Sequence, residues 1–198
     1  MRIAAGFKAH SGWAALVVIG KPENGFEVID RRRIELVDPD DADWAKQPYH
    51  AAENLPSAEA RRLIERAISS AHRIATKEMS AFVKRSQDAG HEMAGCAVLI
   101  GTPMPDWTIE QILSVHVRMH KAEGVLFPGA LIHTAEACDL KVLAIPEKEL
   151  NARAEEALGL PVATRTIATL GKAAGPPWGK DQKSAALAAM IVMQPARR

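Results

Sequence analysis

The chain is poor in aromatic residues, in cysteine and in net charge. Aromatics make up 5% of its 198 residues, so aliphatic side chains and alanine must fill the core. Hydrophobic residues as a whole reach 47%, enough to build a sizeable one. Cysteine occurs twice, as Cys96 and Cys138, each inside an apolar run. This spacing fits no zinc pattern and reads as two reduced thiols in a cytoplasmic protein. A formal net charge of +1 excludes a global basic field that would recruit nucleic acid. No apolar run approaches the roughly 18–20 residues of a membrane span. Lys8 and His10 interrupt the first apolar run too early for a signal peptide. The length suits a single domain over residues 1–198.

What is present is a clear alternation of strands and helices. Ile3–Phe7 and Trp13–Ile19 are short apolar runs, and Lys21-Pro22-Glu23-Asn24-Gly25 has turn chemistry. Phe26, Val28, Ile34 and Leu36 keep period-2 spacing, which completes an antiparallel meander. Asp38 to Gln47 is polar and reads as a surface loop. Residues 57–88 carry apolar side chains at steps of three and four, with Ser57 able to cap the start and Gly90 the end. Cys96–Ile100 suits a strand buried on both faces. The sequence then predicts a helix from Asp106 to Ala122, another from Pro128 to Asp139, and a fifth strand over Val142–Ile145. A short helix to Leu158, a Gly/Pro-rich loop over Gly171–Gly179 and a last helix over Asp181–Met193 complete the chain. A meander followed by alternating strands and helices makes an α/β fold: a five-stranded mixed sheet with helices on both faces. This order resembles the ribonuclease H-like arrangement.

The strand tips, where acids gather to hold magnesium in such a layout, lack carboxylates. The first tip reads Gly6-Phe7-Lys8-Ala9-His10 and the fourth Ile100-Gly101-Thr102-Pro103. Three stretches resemble the Holliday-junction resolvase branch of the ribonuclease H-like superfamily: Ile3 to Gly12, Lys121 to Val142, and Lys180 to Ala189. The resemblance implies acids at the first strand, the fourth strand and the last helix, holding two metal ions. Those positions fall on Lys8, Gly101 and the pair Asp181 and Ala185, so only Asp181 is acidic. The expected protein is therefore a ribonuclease H-like binding or scaffold module without two-metal nuclease activity. Lys8 and His10 stand with Asp181 as the residues of the former catalytic mouth, and Asp106 and Glu53 lie within reach of it in sequence.

Other constellations carry different chemistry. His116, His120 and Glu123 share one helix face and could hold Zn²⁺, Mn²⁺ or Mg²⁺ as a relocated hydrolase or nuclease site. Lys180 and Lys183, at the start of the last helix, could hold an anion, with Trp178 stacking on a base. The spacing of Gly171 to Asp181 excludes a nucleoside-triphosphate loop. Arg31-Arg32-Arg33 offers either a charged sheet margin or phosphate contacts. An alanine-rich stripe on the long helix suggests a homodimer, the helices pairing across a two-fold axis.

Overall fold

The computed structural model describes residues 1–23 and 25–194, so Asn24 of the expected turn lies outside the described residues. Strands β1 (Arg2–His10), β2 (Trp13–Gly20) and β3 (Glu27–Glu35) form the meander, and β4 (Glu92–Ile100) and β5 (Val142–Pro146) follow. The sheet order is β3-β2-β1-β4-β5. β1 pairs antiparallel with β2 and parallel with β4, which places the chain's first strand at the centre. The helices are α1 (Ala42–Ala45), α2 (Pro48–Ala52), α3 (Ser57–Asp88), α4 (Ile109–Leu113), α5 (His116–Ala137), α6 (Leu150–Leu158), α7 (Leu160–Ala174) and α8 (Lys180–Val192).

Strand alternation sorts the helices into two layers. Ile3, Ala5, Phe7 and Ala9 of β1 join Leu16, Cys96 and Val98 in a core shared with α3 and α5. Ala4, Val17 and Ile19 face the other way, onto Ala185, Ala186, Ala189 and Met190 of α8. Along α3, Ala60, Ile64, Ala67, Ala71, Ala75, Met79 and Phe82 form one buried stripe. The alanine face that suggested a dimer is thus covered within the chain, chiefly by α5. Gly90, with φ +69°, lets the chain leave α3.

The structure corrects several boundaries. Pro128 does not begin a helix but lies buried inside α5, which runs unbroken from His116. The preceding helix is the five-residue α4, capped by Thr108 and Gln111 rather than by Asp106. Pro56, not Ser57, occupies the cap of α3. The stretch from Asp38 to Gln47 contains a 3₁₀ turn and α1, with Ala45 buried, and α2 follows it directly. Gly171 to Ala174 belong to α7, a helix missing from the sequence reading, which leaves only Gly175–Gly179 as loop.

Candidate functional site

The carboxyl ends of β1, β4 and β5 open at one edge of the sheet, beside the start of α8. Lys8 and His10 alternate with buried Phe7 and Ala9, so both point to the α8 side of β1. The expectation that the strand tips carry no acid is corrected here. Glu147 follows the last residue of β5, and its carboxylate accepts a hydrogen bond from the Lys8 ammonium. The Lys8 side chain is 13% exposed along its length, while Glu147 is 45% exposed, so the stem is packed and the ion pair itself meets solvent. His10 Nε2 lies 3.0 Å from Asp181 Oδ2, a close approach without the alignment of a hydrogen bond. His10 also stacks on Trp13, with ring centroids 4.4 Å apart, and Trp13 carries the Arg33 guanidinium on its ring at 4.2 Å.

A pair of divalent cations does not fit this donor set. The Glu147 carboxylate is engaged by an ammonium and the Asp181 carboxylate faces an imidazole. Gly101 brings no side chain, and Ala185 is buried against β1. Among the described residues, Asp106 is exposed and forms no ion pair, while Glu53 stands near His116 rather than at the mouth.

The basic and aromatic candidates around the mouth are mostly engaged within the chain. Arg31 donates to the carbonyls of Ala174, Gly175, Pro176 and Pro177, tying the loop before α8 to β3. Arg32 binds Asp30 and Arg33 binds Glu35. Trp178 donates from Nε1 to the Ile167 carbonyl at 3.2 Å, and its ring fills the space beside Gly171. That packing directs the indole into α7 and away from a base. Lys180 and Lys183 are exposed and form no ion pair among the described residues. Lys183 lines an open cleft with Leu150, Ala154, Ala163 and Ile167.

The histidines of α5 meet a partner that the sequence reading missed. His116 and His120, one turn apart, bring their Nε2 atoms to 3.2 Å. His50, from α2, packs on both, with ring centroids 5.0 Å from His116 and 4.5 Å from His120. One ring nitrogen from each of the three lies within 4.8 Å of the others. Glu123 does not join them as a donor. Its buried carboxylate accepts from His50 Nδ1 at 2.8 and 2.9 Å and from the His50 backbone N–H at 3.2 Å. Burial first, and the Glu123 charge second, push the neighbouring Tyr49 phenol above its ordinary pKa. Two site residues were thus absent from the sequence reading. Glu147 was signalled by its place directly after a strand-ending proline, and His50 only by Pro48, a helix-starting residue two positions before it.

No family model matches the sequence, and no curated protein gives a significant match to it. Among the solved structures similar to it are two at 13% identity. One is Thermus thermophilus RuvC, with a TM-score of 0.47 over 96% of this chain and 92% of that one. The other is T. thermophilus RuvC in complex with a Holliday junction substrate, with a TM-score of 0.50 over 96% of this chain and 91% of that one. The chain thus has the ribonuclease H-like fold, a five-stranded mixed sheet with helices on both faces.

Proposed function

We propose that this protein is a ribonuclease H-like binding module that lacks two-metal phosphodiester hydrolysis, with nucleic acid as its partner. The observation that carries this reading is the Lys8 ammonium held on Glu147 at the mouth of the sheet. The ammonium occupies the Glu147 carboxylate that a divalent ion would need at this opening. The exposed Lys180 and Lys183, near the start of α8, add positive charge. The fold also supports the choice of partner, since the similar RuvC structure holds a Holliday junction substrate. Two unbridged cysteines, Cys96 and Cys138, accord with a cytoplasmic setting.

The test is incubation of the purified protein with branched and single-stranded DNA in the presence of Mg²⁺ or Mn²⁺. A mobility shift without cleavage is expected, weakened by Lys180→Ala with Lys183→Ala. Metal-dependent cleavage that disappears in Asp181→Ala would overturn the reading. A protein that shifts no nucleic acid would move the partner to another class of molecule.

A further inference from the structure

We propose that His50, His116 and His120 form a transition-metal site of the Zn²⁺ class, separate from the sheet mouth, with Glu123 as its positioning residue. The argument begins with two imidazoles on one helix. Their Nε2 atoms are 3.2 Å apart. Two nitrogens bound to one tetrahedral Zn²⁺ at about 2.0–2.1 Å lie roughly 3.3 Å from each other, so the pair already has the required spread.

His50 supplies the third nitrogen, and its orientation is fixed from behind. Its Nδ1 and backbone N–H both donate to the carboxylate of Glu123, a residue that is 6% exposed. A proton held on Nδ1 leaves the lone pair on Nε2. That Nε2 is buried and has no hydrogen-bond partner among the described residues. An unpartnered buried acceptor is costly unless something binds it. A carboxylate behind a histidine, with the far nitrogen free, is the usual support of a metal-bound imidazole. His116 repeats the pattern loosely, with Nδ1 3.8 Å from Glu53.

The donor chemistry selects the ion. Three imidazoles without a hard oxygen disfavour Mg²⁺ and Ca²⁺ and favour Zn²⁺, Co²⁺, Ni²⁺ or Cu²⁺. His116 and His120 are exposed, so the fourth coordination position opens to solvent and can take water or an exchangeable ligand. The alternative is a plain hydrogen bond between the two helix histidines, which needs no third ring and leaves His50 Nε2 unexplained.

Titration of the chelator-stripped full chain with Zn²⁺, and separately with Co²⁺, decides between them. We expect one ion per chain, a rise in melting temperature, and the intense visible absorption of tetrahedral Co²⁺. His116→Ala and His120→Ala, both at exposed positions, should abolish this binding while leaving the far-ultraviolet circular dichroism unchanged. Glu123→Gln should weaken it by about 10–100-fold. Lys8→Ala should leave it intact, so a failure here and a failure at the mouth are distinguishable. No bound ion in the wild-type chain, or binding that persists in the double histidine variant, would overturn the proposal.

Discussion

Gly6 has no room for a side chain. A Cβ there would stand 1.9 Å from the Ala185 carbonyl oxygen and 3.1 Å from the Ala189 nitrogen. Both obstacles are backbone, so no rotamer change relieves them, and the helix must move off the strand. We expect Gly6→Ala to destabilise the fold by about 3 kcal/mol or more, at the top of the range for overpacking. Urea denaturation would measure this, and a loss under 1 kcal/mol would mean that α8 is held far less tightly on β1. The contact matters for the mouth, because α8 brings Asp181 to His10. At this scale the sequence was legible where one strand or one helix carries the residue. Lys8, His10 and Asp181 fall at the mouth because strand parity and helix start fix them. Glu147 and His50 escaped because their significance depends on which distant element faces them. His50 and Glu123 are 73 positions apart, and no periodicity connects them.

The seam between α3 and α5 holds a pair of imidazoles that ties stability to pH. His72 of α3 stacks on His133 of α5, with ring centroids 4.9 Å apart at 29°. Thr76 and Thr134 hydrogen-bond across the same seam at 3.3 Å. Burial first, and His133 second, hold the His72 imidazole below its ordinary pKa of 6.5. A lowered value in the folded state means that folding favours the neutral ring. Its contribution is complete above the unfolded-state pKa and is lost as pH falls through the folded-state value. Unfolding free energy should therefore decline below pH 6.5, and exposed His133→Ala should blunt the decline. Urea midpoints measured across that range would show it, and parallel curves for the two proteins would contradict it. Tertiary packing explains two elements whose local sequence points elsewhere. Pro128 suggested a helix start because it removes the bond to Gly124, a defect costing about 3 kcal/mol in isolation. Burial of Phe127, Ala130, Leu131 and Ala135 under the sheet carries α5 through it. On the opposite face, α7 was passed over because Pro161, Val162, Thr164, Thr166 and Thr169 are weak helix formers. Leu170 and Ile167, packed with α8, supply the stability that propensity does not.

In the molecule as a whole, β4 lies between β1 and β5 with helices over both faces. That placement was legible, since a continuous apolar run bounded by turns belongs inside a covered sheet. What the sequence could not show is how completely the packing seals one thiol. Cys96 is fully buried, and burial first, with Cys138 second, pushes its pKa from 9.0 up to about 12. A raised value in the folded state means that folding favours the protonated thiol. The resulting stability is fully present below pH 9 and disappears as pH rises toward 12. One thiol losing its proton only on unfolding gives a slope of about 1.4 kcal/mol per pH unit. Between pH 9 and 10 the thiol outweighs the raised Tyr49 phenol, because an unfolded thiol ionises around 9 and an unfolded phenol around 10. Cys96→Ala should flatten the slope there even if it lowers stability at every pH, and an unchanged slope would show that the alkaline limb arises elsewhere. Thiol labelling gives the same answer without a substitution. Cys138 is only partly buried and should react in the native state, whereas Cys96 should react at the rate of global opening, because reaching it requires lifting a helical layer off the sheet.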